Sequence, residues 1–464
     1  MMVFIYGAPA SGKSTLGEKL SKKLSVPFVD LDCEIEKSSG KTIAEIFSSC
    51  GESAFRDMES EKLAEIVSSP EEKIVSLGGG TLLHESNRAL CEEKGIALCI
   101  DTPSEEEIAR RISQLPGSRP LGNKAIERAE HYASFKNRIV SFFEVGSSLV
   151  VVGSEIAQGL ICDKNIVCDE NVYKLWGNKL GIAPFAEIPS GEVHKIPSTV
   201  ASLWHAFAKK GLGRKDIVVA LGGGVTGDLT GFAAATWMRG IRWINVPTTL
   251  LSMVDASTGG KTGCDLPEGK NLAGAFHFPE LVVIDTAFLS TLPQKTLADG
   301  KAEMIKHALI GGKNLFSFSN ADVPSAQEIA ENLMVKVDIV RKDPFETNSL
   351  RMKLNCGHTI GHAIEKLSSY ALSHGEAIAI GCCEEARMAE RLSLASEGWA
   401  KEVEDAFSSV GLPVPIPSNI CKSEIPETVK GDKKRAGDVV SFALPCGWGD
   451  VRIVPINMAK EKIL

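Results

Sequence analysis

The segment Gly7-Ala8-Pro9-Ala10-Ser11-Gly12-Lys13-Ser14 constrains this chain most. It fits G-x-x-x-x-G-K-[ST] and directly follows the apolar run Val3-Phe4-Ile5-Tyr6. An apolar strand, a glycine-rich turn and a helix start, in that order, make a phosphate cradle. Backbone N–H groups wrap the phosphates, Lys13 reaches the transferred group, and Ser14 can ligate Mg2+. The helix amino terminus adds partial positive charge where the anion sits. This commits only the first third of the chain. The remainder carries a second, unrelated set of catalytic signals.

A chain of 464 residues has room for about three domains. It is 44% hydrophobic and 24% charged, ordinary for a globular protein. It contains no apolar run of about 18 residues, so no membrane span is expected. Met1 leads straight into the phosphate loop, so no signal peptide is expected. The 12 cysteines form no C-x-x-C pair and one adjacent doublet, Cys382-Cys383. They read as reduced thiols of a cytoplasmic protein. The net charge of −8 argues against a nucleic-acid partner, so anionic substrates have to be held by local Lys and Arg clusters.

Short apolar runs at Val3–Tyr6, Phe28-Val29, Ile74–Leu77 and Ala97–Ile100 alternate with helical patterns. That alternation predicts a parallel sheet with crossover helices over residues 1–148. A second α/β series follows over 149–285, with strands at Leu149–Val152, Ile166–Cys168, Ile217–Leu221, Trp243–Val246 and Leu281–Ile284. Residues 286–464 read as a mostly helical third domain, with a strand signal only at Val439–Leu444. The stretch Leu149–Leu160 either finishes the first module or begins the second.

Within the first module, Asp30 and Asp32 stand two apart at a predicted strand end, so both carboxylates face one cleft. Gly51-Glu52-x-x-Phe55-Arg56-x-x-Glu59 follows a helical segment, Gly78-Gly79-Gly80 ends a strand, and Arg119-Pro120-Leu121 lies in a candidate lid. Together and in this order these motifs resemble shikimate kinase over roughly residues 2–147. The resemblance implies ATP-dependent phosphorylation of the shikimate 3-hydroxyl. It places Gly7, Gly12, Lys13, Ser14 and Thr15 around the nucleotide, Arg111 on the adenine, and Ser14 with Asp30 on Mg2+. Asp32 is the base or orienter of the hydroxyl, and Arg119 swings in toward the transferred phosphate. Arg56 and Arg138 clamp the shikimate carboxylate beside Gly79 and Gly80. Arg138, with Phe142 four residues on, is preferred to Arg128, which has Tyr132 at the same spacing.

The second module opens on Leu221-Gly222-Gly223-Gly224-Val225-Thr226-Gly227-Asp228, a glycine-rich strand-to-helix turn that suits a pyrophosphate. Arg239-Gly240, Pro247-Thr248-Thr249-Leu250-Leu251, Asp255-Ala256-Ser257-Thr258-Gly259-Gly260-Lys261, Gly269-Lys270-Asn271 and Gly300-Lys301-Ala302-Glu303-x-x-Lys306 follow. Cations set in glycine-rich turns point to a polyanionic substrate. Of nine histidines, His358, His362 and His374 lie within seventeen residues. His358 and His362 share one helix face. Imidazole and carboxylate suit zinc with one position left open; packed core histidines are the equal alternative on the residues alone.

The whole series, completed by L-N-x-G-H-T-x-G-H and H-G-E, resembles 3-dehydroquinate synthase over about residues 149–464. The resemblance implies an NAD-binding α/β domain followed by a helical metal-binding domain. It implies conversion of a heptulosonate phosphate (3-deoxy-arabino-heptulosonate 7-phosphate) to 3-dehydroquinate and phosphate. NAD+ is regenerated within each turnover, and a divalent metal, Zn2+ or alternatively Co2+, assists. Glu303, His358 and His374 become the metal ligands, and His362 moves protons near the phosphate. Lys261, Asn271, Arg239, Lys306, Lys336, Arg351, Asn355 and Lys433 or Lys434 bind substrate, with Asp255 beside the reactive ring. Asp169, Asn171, Glu192, Lys195, Gly223, Gly224, Val225, Asp228, Thr248, Thr249, Lys261, Lys270, Thr291 and Leu292 meet the dinucleotide. Glu346 lies five residues before Arg351, where a spacing of four is expected. A homodimer formed through this module is expected.

Two other readings stay open. The second module could be a metal-dependent polyol dehydrogenase, or one module could be an inactive binding domain. The two implied reactions are not consecutive in the shikimate pathway, so independent sites rather than channelling are expected.

Overall fold

A computed structural model describes residues 2–101, 106–107, 110–111, 128–135, 138–161, 164–317, 322–432 and 439–458. The first five strands are β1 (Met2–Tyr6), β2 (Phe28–Asp30), β3 (Ile74–Ser76), β4 (Gly95–Ile100) and β5 (Ile139–Val145). Next come β6 (Ser148–Gly153), β7 (Asn165–Asp169), β8 (Ala186–Ile188), β9 (Ile217–Gly222) and β10 (Arg242–Pro247). The last are β11 (Lys261–Leu266), β12 (Gly269–Phe276), β13 (Leu281–Asp285), β14 (Val439–Gly447) and β15 (Asp450–Asn457). Helix α1 (Lys13–Leu24) leaves the phosphate loop, and α2 (Leu31–Ser39) follows β2.

Among the described residues both α/β modules share one 11-stranded sheet, in the order β2-β3-β1-β4-β5-β6-β13-β10-β9-β7-β8. The seam is β5. It pairs parallel to the end of β4, Cys99 with Ile139 and Ile100 with Val140. It then pairs antiparallel to β6, from Ser141 with Val152 to Val145 with Ser148. The turn between β5 and β6 passes through Gly146 at φ 57°, where a Cβ would stand 2.6 Å from the Phe278 ring. Strand polarity reverses here, so the carboxyl ends of the two strand sets point in opposite senses at the seam. Nucleotide-binding crevices form outside carboxyl strand ends, which separates the two sites. Leu149–Val152 belongs to the second set, since β6 pairs parallel with β13 over Leu149–Gly153.

The strand interiors are apolar on both faces, as a sheet covered by helices requires. Residues along β1 divide by alternation: Val3 and Ile5 face one core, while Phe4 and Tyr6 face another. The first of these cores is continuous across the seam, joining Leu16 and Leu20 of α1 to Val150, Val152, Val283 and Ile284. Beyond β13 the chain is mostly helical, with helices Gln294–Gly311, Ala326–Lys342, His358–Leu367, His374–Arg391 and Trp399–Ser409 and the β14–β15 hairpin packed on them. The strand pattern missed β5, β8, the β11–β12 hairpin and β15. Among the described residues no helix is long and apolar enough to cross a membrane.

Candidate active sites

The phosphate loop lies where the motif placed it. The Lys13 ammonium donates to the carbonyl oxygens of Gly7 (3.1 Å) and Ala8 (2.9 Å), folded back over the loop. Ser14 Oγ donates to Asp30 Oδ2 at 2.7 Å. A hydroxyl and a carboxylate side by side form the hard oxygen pair that Mg2+ takes. Thr15 is exposed in the first turn of α1. Arg111 Nη1 donates to Ala10 O at 3.3 Å, which holds its guanidinium beside the loop. Asp32 is not on the strand with Asp30. Asp30 caps α2 by accepting from Cys33 N at 3.3 Å, so the chain turns helical at Leu31 and Asp32 enters the first helical turn. Its Oδ1 still lies 3.2 Å from where a Gly78 Cβ would stand.

The arginine pair at Gly80 differs from the expectation. A Cβ on Gly80 would stand 2.6 Å from Arg56 Nη2 and 2.9 Å from Arg128 Nη1. Arg128 Nη1 donates to Gly79 O at 3.2 Å, and Tyr132 Oη donates to the same oxygen at 2.7 Å. Arg138 stands instead just before β5, its backbone N–H bonded to Phe135 O at 2.7 Å. The second guanidinium at the glycine turn is therefore Arg128, because Tyr132 in the same helical turn anchors to Gly79. Buried Glu59 pairs with Arg56 and accepts from Thr81 Oγ1, fixing the fork from behind. Arg119 lies outside the described residues.

In the second module three side chains converge. Ligand atoms of Glu303, His358 and His374 lie within 4.8 Å of one another. His374 Nε2 stands 3.1 Å and His358 Nε2 3.6 Å from Glu303 Oε1. The other ring nitrogens are occupied: His358 Nδ1 lies 3.1 Å from Cys356 O and His374 Nδ1 lies 3.6 Å from Glu365 Oε1. Both rings thus present Nε2 to one carboxylate, the orientation that outer partners impose on metal-ligating histidines. Burial, and next Lys306, lowers His358 to about 3, so its Nε2 keeps a bare lone pair. Burial disfavours charge on His374 as well, but hydrogen bonds to Glu303 and Glu365 outweigh it and raise it to about 10. A cation seated there takes over that charge and displaces the proton. Glu303 Oε2 is buried against the Lys306 ammonium, which leaves Oε1 turned to the two rings. One carboxylate and two imidazoles therefore fit a divalent transition metal with an open position. Gly381 permits the convergence, because a Cβ there would fall 2.0 Å from Gly357 O.

Cations and carboxylates surround this centre. Lys306 ion-pairs with Glu303, both buried. Burial opposes ionisation of Glu303, but Lys306 and the two histidines hold its carboxyl well below the usual range. Lys336 Nζ donates to Asp255 Oδ1 at 2.7 Å and to Asp255 O at 2.6 Å. His307 lies 3.9 Å from Asp255, and burial lowers it to about 4, which keeps it neutral. Ligand atoms of Asp255, Glu303 and His307 also cluster, but the ammonium of Lys306 already serves that acidic pair. Lys261 pairs with Glu346, which also lies 3.5 Å from Arg351 Nε. Glu346 thereby joins two cations from separate motifs despite its longer sequence spacing. Lys270 lies 3.7 Å from Glu365. His362 is exposed, its ring centroid 5.3 Å from that of His358. Arg239 and Asn355 are exposed, and among the described residues neither joins the ion pairs above. Lys433 and Lys434 lie outside the described residues.

The glycine turn after β9 faces the same region. Gly223, Gly224 and Asp228 line one cavity with Ala256, Gly260 and Lys261. A Cβ on Gly223 would stand 3.2 Å from Thr249 Cγ2, so backbone is bared where a pyrophosphate needs it. Val225 continues that helix start, and Thr248 N bonds to Gly222 O at 2.9 Å. Lys195 Nζ lies 2.6 Å from Asp228 Oδ2 and 2.6 Å from Asn271 Oδ1, which ties a predicted dinucleotide contact to a predicted substrate contact. Glu192 lies 4.0 Å from Lys195. Asp169 accepts from Asn171 N at 2.8 Å as a helix cap. Thr291 Oγ1 accepts from Trp176 Nε1 at 2.9 Å, next to Leu292. The sequence reading missed His307 and Glu365, which act through other side chains; Glu59 and Tyr132 stood in its motifs without a role. The i, i+3 spacing of His362 and Glu365 was the one signal available.

Comparison with known proteins finds relatives of both modules. Residues 9–164 match the family model for shikimate kinase. Residues 185–299 match that for the 3-dehydroquinate synthase N-terminal domain, and 300–435 the C-terminal domain. The 3-dehydroquinate synthase of Synechococcus sp. is 43% identical over 289 residues, 59% of this chain and 78% of that protein. That of Geobacillus kaustophilus is 42% identical over 283 residues, 58% of this chain and 76% of that protein. Among solved structures, 2-deoxy-scyllo-inosose synthase complexed with carbaglucose-6-phosphate, NAD+ and Co2+ aligns at TM-score 0.61 and 26% identity, covering 69% of this chain and 97% of that one. ValA (2-epi-5-epi-valiolone synthase) of Streptomyces hygroscopicus, with NAD+ and Zn2+ bound, aligns at TM-score 0.61 and 27% identity, covering 68% and 94%.

Proposed function

We propose, for a chain that belongs to the 3-dehydroquinate synthase family and carries a shikimate kinase module ahead of it, two separate reactions. The kinase module phosphorylates the shikimate 3-hydroxyl from Mg2+-ATP. The synthase module converts 3-deoxy-arabino-heptulosonate 7-phosphate to 3-dehydroquinate and phosphate. The observation that carries the second reaction is the convergence of Glu303, His358 and His374 next to a cation-lined glycine turn.

When bound, NAD+ supplies a transient oxidation at one carbon and the divalent metal, Zn2+ or Co2+, supplies Lewis acidity. The chain does the rest. Glu303, His358 and His374 hold the metal. Gly223, Gly224 and Lys195 hold the dinucleotide. Lys261 and Arg351, already cross-linked by Glu346, bind anionic groups of the substrate, and Lys336 keeps Asp255 ionised and oriented. His362, exposed at the rim, passes protons to and from the departing phosphate. In the kinase, Lys13 and the loop N–H groups neutralise the transferred phosphoryl group, and Ser14 with Asp30 seats Mg2+. Arg56 and Arg128 fork the carboxylate of shikimate, and Asp32 orients its hydroxyl. Such catalysis is mostly positioning and charge neutralisation.

The test is a paired assay of the purified chain. Heptulosonate 7-phosphate with NAD+ is expected to release phosphate with no net NADH, and a chelator is expected to stop it. NADH building up with turnover would instead make this module a net dehydrogenase. ATP with shikimate is expected to yield ADP in a Mg2+-dependent way; absence of ADP would make the first module a binding domain only.

A further inference from the structure

We propose that Arg242, a synthase-module residue, is a positioning residue for the kinase reaction: it holds the phosphate-loop helix by its carboxyl end. This rests on the kinase reading above.

Helix α1 has an unusual division of support. Its amino end has no capping side chain at Gly12 and no acidic residue in the first turn. Those N–H groups are left for phosphate. Its carboxyl end stops at Ser25, at φ 57°, where the last carbonyl groups lack partners within the helix. Arg242, the first residue of β10, supplies them. Its Nη2 donates to Lys23 O at 2.7 Å and Lys22 O at 3.2 Å, and its Nη1 donates to Ser25 Oγ at 2.8 Å. A guanidinium at a helix carboxyl end also complements the macrodipole.

Arg242 is itself braced. Its Nε lies 3.4 Å from Glu280 Oε1, and Glu280 Oε2 receives Lys23 Nζ at 2.7 Å. Lys23 Nζ also donates to Ser147 O at 2.6 Å, in the β5–β6 turn. Lys19 pairs with Glu144, whose carbonyl accepts from Arg341 Nε at 2.8 Å. The contacts of Arg242 and Glu280 with α1 span 217 to 257 residues of sequence. The phosphate cradle at one end of α1 is thus aimed by a clamp at the other end, built on strands of the synthase module. Displacement of a phosphate-binding helix by an ångström weakens every contact its amino end makes. Arg242 can be changed without touching the synthase chemistry, because its backbone pairing with Ile217 does not depend on its side chain.

The test uses the full chain and a fluorescent ADP with Mg2+. Replacing Arg242 by Met is expected to raise the ADP Kd about fivefold, the scale of a lost helix cap, with shikimate KM and phosphate release by the synthase unchanged. Arg242→Lys, which keeps the charge but loses the fork, is expected to fall between the two. Unchanged ADP affinity together with a lower melting temperature would overturn the proposal and leave Arg242 as module glue. If Arg242→Met lost synthase activity too, Ser25→Ala decides, since it removes an acceptor on α1 alone: weaker ADP binding supports the proposal, and unchanged binding overturns it. Failure of the unaltered chain to bind ADP would sink the kinase reading instead.

Discussion

Arg128 and Arg138 are ten residues apart and carry the same charge, yet only Arg128 shares the Gly79 carbonyl with Tyr132. Charge-assisted hydrogen bonds of this kind contribute about 1.5–3 kcal/mol. Arg128→Met is therefore expected to raise the shikimate KM roughly 10- to 100-fold, and Arg138→Met to leave it within about twofold. Equal effects in steady-state assays would place the clamp elsewhere. The sequence presented both arginines with an aromatic residue four positions on, and nothing local separates them; the deciding partner, Gly79 O, lies 49 residues upstream. Glu365 illustrates the same limit. It grips the far nitrogen of His374 but carries no motif of its own. Glu365→Gln is expected to weaken Zn2+ binding about 10- to 100-fold in competition with a chromophoric chelator. Unchanged affinity would mean that His374 is oriented without it.

Helices His358–Leu367 and His374–Arg391 meet at Gly381, where a Cβ would fall 2.0 Å from Gly357 O. Backbone cannot yield as a flexible side chain does. Gly381→Ala is expected to cost about 1–3 kcal/mol in denaturant unfolding and to weaken metal binding in parallel, since the ligands sit at the two helix starts. Destabilisation with intact metal affinity would separate the packing from the site. At the seam, burial opposes ionisation of Glu280, but Lys23 and Arg242 outweigh it and lower its pKa. A carboxyl depressed on folding contributes stability above its unfolded pKa of about 4.3, and that contribution is lost as pH falls through the lower folded value. The gap in melting temperature between the unaltered chain and Glu280→Gln is accordingly expected to be widest near neutrality and to close on acidification below about pH 4. A constant gap would show that the charge does not matter. Elements with strong apolar runs, such as β9 and β13, were readable from sequence. β5 was not: Ser141 and Glu144 break its apolar run, and its character as a strand comes from pairing with β4 and β6. Asp32 was misplaced because Asp30, read as a strand residue, caps a helix.

The whole molecule is two chemistries on one sheet. The motifs made the division of labour legible, since glycine turns and histidine spacing are local. They could not reveal that the modules share a core, because Leu16 and Leu20 join Val150 in it only across a long stretch of sequence. A fragment ending at residue 147 would bare β5 and the apolar face that β6 covers. It is expected to lack near-ultraviolet dichroism and to bind ADP poorly, whereas a native-like fragment would show the kinase folds alone. The reversed strand polarity at β5 keeps the crevices apart, so shared structure does not imply shared chemistry. The direct test is a crossed assay of two variants, each checked for native melting. Lys13→Ala is expected to abolish shikimate phosphorylation and spare phosphate release from heptulosonate 7-phosphate, and His358→Ala to do the reverse. Loss of both activities from either folded variant would contradict two separate centres.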